Sequence, residues 1–163
     1  MRYIHTILAF LFLSVSITVS HASFEHVARL DNTERRGGKV TEFIARISQY
    51  RATRTLKVLD GYCYSSCTLY LTLMNDGLLC AKPGTALVFH EFVKARETTQ
   101  GDIVTYQKVG RIPAAERRML WNMYPLHVRQ RLSSSWAGGL PEWGNEIIFS
   151  ARELRVPTCR DVR

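Results

Sequence analysis

Between residues 26 and 90 the apolar positions alternate between two periods. His26 to Asp31, His-Val-Ala-Arg-Leu-Asp, reads as a short strand closed by the polar Asn32-Thr33-Glu34. After Gly37-Gly38 the spacing lengthens. Val40, Phe43, Ile44 and Ile47 fall at i, i+3, i+4 and i+7, a single stripe along one helix. Thr55 to Asp60, Thr-Leu-Lys-Val-Leu-Asp, returns to a strand. Strand, helix and strand in this order predict a parallel βαβ unit with a right-handed crossover.

The chain then turns at Gly61 and is expected to enter a second helix near Ser65. Leu69, Tyr70, Leu71, Leu73 and Met74 make that helix apolar on almost every side, so it should be buried. Asn75-Asp76-Gly77 ends it, with Gly77 as its C-terminal cap. Pro83-Gly84 marks a turn, and Ala86 to Phe89 is a third apolar strand that delivers His90. This alternation predicts an α/β domain with a parallel sheet. Glu91 to Arg111 is polar and mixed, broken by Gly101 and Gly110, and predicts no regular element. Pro113 opens a helix as its first residue, running to Tyr124 on Leu120 and Trp121. Pro125 interrupts it before Leu126 to Leu132 continues, which gives a C-terminal helical segment. Gly138-Gly139 and Pro141 mark a loop, Ile147 to Phe149 a last short strand, and Ala151 to Leu154 a helical turn. No internal repeat or low-complexity tract interrupts this order.

Residues 1–22 stand apart. Arg2, the apolar run Ile7 to Val19 and the small residues Ser20 and Ala22 have the layout of a cleaved signal peptide. The run is short for a membrane span, so an uncleaved anchor is the lesser alternative. Residues 23–163 then suffice for one domain with its own core. The expected location is the periplasm or the exterior. All four cysteines, Cys63, Cys67, Cys80 and Cys159, lie in this part, which suits disulfides in an oxidising compartment. Their pairing stays open among three arrangements. Cys63 with Cys67 would clip the turn that carries Ser65, and Cys80 with Cys159 would tie down the C-terminus. No histidine sits at ligand spacing from them, so neither a metal nor another cofactor is expected. The formal charge of +8 comes from scattered lysines and arginines, as on a solvated basic surface. An anionic cell-envelope partner is the alternative. Export and the lack of a recognition motif argue against nucleic acid.

Three pieces carry candidate chemistry. Ser65 lies where a strand gives way to a helix, so the Ser66 amide there is unsatisfied within the helix. Gly37-Gly38 allows a second backbone amide to come close, because glycine presents no side chain. His90 is the natural base for activating a serine. The bland readings are a helix cap, a turn and a structural histidine. The run also lacks the glycines of the α/β-hydrolase elbow.

Gly37-Gly38 with Val40-Thr41, Gly61-x-x-x-Ser65 before an apolar helix, then Pro83 and Val88-Phe89-His90 resemble the Clp-protease/crotonase superfamily. The likeness is to its exported, Clp-protease-like proteins, and it runs from His26 to Phe92 with a looser echo from Asn145 to Leu154. The resemblance implies a parallel-sheet fold built from βαβ units. It implies Ser65 as nucleophile, His90 as general base, and the Gly38 and Ser66 amides as the oxyanion hole, with Gly37 beside them. It places an acid just before Ser150-Ala151, at Glu146 with Asn145 beside it. Asp60 and Asp102 are rivals for orienting the imidazole. Arg35-Arg36 replaces the family's small residue and proline, which implies a loop shaped for an anionic group. The family's first strand–helix unit has no counterpart, so the sheet is short, completed by a second copy in a homo-oligomer, or degenerate. The expected function is a serine hydrolase, peptidase-like, acting on a peptide or small acyl substrate. The alternatives are a non-catalytic module that binds a peptide or anionic partner, and a stapled domain in which Ser65 only caps a helix.

Overall fold

In the computed structural model, residues 24–100, 103–136, 140–142 and 144–160 are described; the expected signal peptide, Gly101, Asp102 and Gly138-Gly139 lie outside them. In chain order the elements are β1 (His26–Arg29), α1 (Asn32–Arg35), α2 (Val40–Ala52), β2 (Thr55–Leu59) and β3 (Tyr62–Tyr64). A 3-10 helix follows at Ser65–Asp76, then β4 (Leu79–Ala81), β5 (Ala86–Phe89), β6 (Val93–Gln100) and β7 (Ile103–Arg111). The chain closes with α3 (Ala114–Met123), α4 (Leu126–Ser135) and β8 (Ile147–Ser150).

The expected βαβ unit is present. β1 pairs with β2 in parallel, with His26 opposite Thr55 and Arg29 opposite Val58. The predicted stripe of α2 faces the core: Phe43 and Ile47 are buried, and Val40 and Ile44 pack against them half-buried. β4 extends β2 in parallel, which gives the order β1-β2-β4. The third apolar strand, β5, does not join this sheet. It pairs in parallel with β3 and antiparallel with β8, forming a second sheet in the order β3-β5-β8. The architecture is therefore mixed α/β with small parallel and mixed sheets, where one parallel sheet was expected.

Two further elements depart from expectation. The buried helix after Ser65 is wound as a 3-10 helix over its full length. At three residues per turn, Leu69, Tyr70 and Leu71 point to three sides, and each is fully buried. A helix with no polar face carries no period in its sequence, so the winding could not be read there. Glu91 to Arg111, expected to be irregular, contains the antiparallel hairpin β6–β7. Almost every residue of β6 is exposed, so neither face alternates toward a core.

Pro113 and Pro125 cap α3 and α4 from one position outside each helix, and their carbonyls accept the Arg117 and Arg129 amides at 3.0 Å. Residues after β8 form a turn in which the Glu153 carboxylate accepts the Ser150 amide and hydroxyl, each at 2.8 Å. Both cysteine pairs raised from the sequence form, Cys63–Cys67 and Cys80–Cys159. The second, with the Ala81–Thr158 bridge, fastens the C-terminus to β4. Among the described residues no helix is long and apolar enough to cross a membrane.

Candidate active site

β3 ends at Tyr64, and the next residue, Ser65, takes a left-handed backbone with φ +56°. A left-handed residue with a Cβ costs roughly 1–2 kcal/mol, so its neighbours must enforce it. They do so from several sides. The Cys63–Cys67 disulfide closes the loop around Ser65. The Thr68 hydroxyl donates to the Ser65 carbonyl at 2.7 Å, and the Ser66 hydroxyl donates to the Gly38 carbonyl at 2.7 Å. Gly37 lies flat against the turn. A Cβ there would stand 2.7 Å from the Tyr64 carbonyl oxygen and 2.9 Å from the Ser65 Cβ. Its own φ of +76° is a second reason for glycine.

This arrangement corrects one reading of Ser65. The N-cap position of the 3-10 helix is held by Tyr64, and Ser65 is the helix's first residue. Its side chain is half-exposed and lines a cleft of about 320 Å³ with Gly38, Ser66, Tyr64 and His90. The Ser66 amide lies in the first helical turn, where amides lack intrahelical partners. The Gly38 amide takes part in no backbone hydrogen bond among the described residues. The two residues that carry the candidate oxyanion donors, Gly38 and Ser66, both line the cleft with the serine.

His90 follows β5 and is 4% exposed. Its Nδ1 lies 2.8 Å from the Glu91 carbonyl oxygen. A carbonyl only accepts, so Nδ1 carries the proton and the lone pair of the neutral ring is on Nε2. Burial pulls the His90 pKa below its ordinary value, and it outweighs the Glu91 carbonyl and the charges of Glu146 and Glu91, which push upward. The imidazole is therefore held toward its neutral, basic form. Ser65 and His90 line the same cleft.

The candidate acids fall in different places. Glu146 is exposed beside Tyr64, whose pKa is pushed up by burial and by this carboxylate; its charge also reaches His90. The atom on His90 Nδ1 is the Glu91 carbonyl oxygen. Asp60 is engaged by Lys82 at 2.8 Å and does not line the cleft. Of the arginine pair, Arg36 lines the cleft, while Arg35 lies against Gly61. Lys39 and Lys94 add basic groups to the rim, and Lys39 pairs with Glu97 at 3.3 Å.

Sequence reasoning missed Tyr64, whose ring centroid lies 5.0 Å from that of His90, and the hairpin wall formed by Val93, Ala95 and Tyr106. Tyr64 lay inside the serine run and could have been weighed as a neighbour of the base. The hairpin residues carried no signal. Among the described residues no cluster of three or more His, Cys, Asp or Glu is placed to hold a metal ion. No family model, curated protein or solved structure matches the chain.

Proposed function

We propose that this chain is an exported serine hydrolase of the Clp-protease/crotonase type that cleaves an amide or ester. The observation that carries the reading is the left-handed Ser65 at the mouth of a cleft shared with His90 and Gly38. A strained serine at a strand-to-helix junction presents its hydroxyl outward, the feature that marks nucleophile turns. In the reaction, Ser65 Oγ attacks the carbonyl carbon while His90 Nε2 takes the hydroxyl proton. The Gly38 and Ser66 amides hold the resulting oxyanion. Collapse of the tetrahedral adduct expels the amine or alcohol, which leaves with the proton from the imidazolium. Water, activated by the same nitrogen, then releases the acid and restores Ser65. Glu146 contributes charge that favours the imidazolium, acting from beside Tyr64. The two disulfides support an oxidising compartment, and the periplasm or exterior is the location proposed.

A fluorophosphonate probe tests this directly. The intact protein should label at Ser65, Ser65→Ala should not label, and His90→Ala should label about 10²–10⁴-fold more slowly. Folded protein that stays unlabelled, under conditions that label a known serine hydrolase, overturns the reading. It would favour a binding cleft in which the basic rim of Arg36, Lys39 and Lys94 receives an anionic peptide.

A further inference from the structure

Among the described residues, Glu34 and Lys57 are the most deeply buried Asp, Glu, Lys or Arg side chains. Glu34, in α1, is 3% exposed, and Lys57, at the middle of β2, is fully buried. Lys57 Nζ donates to Glu34 Oε2 at 2.6 Å and to the Arg29 carbonyl at 3.2 Å. The other carboxylate oxygen, Oε1, accepts the Tyr70 hydroxyl and pairs with Arg46 at 3.1 Å. Burial works to raise the Glu34 pKa, but the hydrogen bonds from Lys57 and Tyr70 and the Lys57 charge outweigh it, so the carboxyl sits below its ordinary value.

The places these partners occupy give the cluster its meaning. Glu34 stands just before Gly37-Gly38, and its own carbonyl accepts the Gly37 amide at 3.1 Å. Arg46 is on α2, just after the glycines. Tyr70 is on the 3-10 helix whose first residue is Ser65. One carboxylate therefore links α1, which precedes the glycine loop, and α2, which follows it, to the 3-10 helix that begins at Ser65. The Asp31 capping box adds a further fixed point, with the Glu34 amide on Asp31 Oδ1 at 2.7 Å and Glu34 Oε2 accepting the Asp31 amide at 3.1 Å.

We infer that Glu34 is a positioning residue, setting the distance between the Gly37-Gly38 amides and Ser65 through Tyr70 and Arg46. The inference rests on the hydrolase reading. It assigns to a cluster outside the cleft the alignment of the oxyanion donors, which must be right to a fraction of an ångström.

The test compares fluorophosphonate labelling rates at a temperature well below the melting midpoint of every variant. Glu34→Gln alone leaves the Lys57 ammonium buried without its carboxylate and endangers the fold. Tyr70→Phe, which removes the hydroxyl that ties the 3-10 helix to Glu34, and the paired Glu34→Gln/Lys57→Met are therefore the informative variants. Tyr70→Phe is expected to label about 10-fold more slowly and the paired variant about 10²-fold more slowly, the scale of an ångström-sized misplacement. The pH midpoint of labelling should not move, because none of these groups faces His90. Tyr50→Phe is the control. Tyr50 accepts from Lys57 at 3.4 Å and packs against the Tyr70 ring but makes no hydrogen bond to the Glu34 carboxylate, so its loss should lower the melting midpoint and leave the labelling rate intact. Wild-type rates in Tyr70→Phe and the paired variant overturn the inference and leave the hydrolase standing. So do losses that Tyr50→Phe shares in proportion to its melting midpoint. An unreactive wild-type protein overturns both.

Discussion

Lys57 and His90 are both buried titratable groups, one at the middle of β2 and one just past the end of β5, and the molecule treats them oppositely. Burial presses each below its ordinary pKa. Lys57 is answered at 2.6 Å by the Glu34 carboxylate and lies over the rings of Tyr70 and Tyr50, at 4.7 Å and 5.2 Å. His90 is answered by a neutral carbonyl, with the charges of Glu146 and Glu91 acting from further away. The first environment keeps an ion pair in place, as a structural joint requires. The second favours an uncharged imidazole, as a general base requires. Burial alone does not distinguish structure from chemistry; what faces the buried group does.

The comparison is broken most forcefully at Lys57. Lys57→Met leaves the buried Glu34 with only the partly exposed Arg46 as cation and should cost up to about 3–5 kcal/mol, read from urea unfolding. Neutralising both partners in Glu34→Gln/Lys57→Met should recover much of that loss. A Lys57→Met protein as stable as wild type would show that the pair is not the joint described above. A smaller effect is expected at Gly37. In Gly37→Ala the new methyl meets the Tyr64 carbonyl at 2.7 Å and the Ser65 Cβ at 2.9 Å, at a backbone angle that disfavours any side chain. Overpacking of this kind costs about 1–3 kcal/mol. Its sharper signature is local: Ser65 must move, so labelling should fall by more than the stability loss accounts for. Labelling at the wild-type rate would detach the glycine loop from the serine.

How far these features could be read from the sequence follows from what each residue faces. The stripe of α2 and the strands β2, β5 and β8 were legible because each has apolar residues meeting the core. The residues Ser65, His90 and Gly38 were legible as types, and the fold brings all three to one cleft. The division into two sheets was not legible, because a short apolar strand such as Ala86–Phe89 does not encode which neighbour it pairs with. The hairpin was hidden by its exposure. Lys57 was passed over inside an apolar strand, although a lysine there demands a buried partner, and Glu34 in the preceding polar turn was the carboxylate available to supply it.

The pH dependence of labelling separates the two regions with the smallest perturbation. His90 must be neutral to accept the Ser65 proton, so the rate should rise with pH through its folded pKa. Because burial lowers that pKa, the half-maximal rate should fall below about 6.5, the ordinary imidazole value. The same shift acts on stability. As pH falls through about 6.5 the unfolded chain takes up a proton that the folded chain resists, so the His90 contribution is present above that pH and is lost as pH drops toward the folded value. Glu146→Gln removes a charge that pushes the His90 pKa upward, so it should move the rate midpoint further down. Lys57 and Glu34 do not act on His90 and should leave the midpoint where it is. A midpoint at or above the ordinary imidazole value would mean that burial does not hold His90 in its neutral form. It would then belong with Lys57 as a structural group rather than opposite to it.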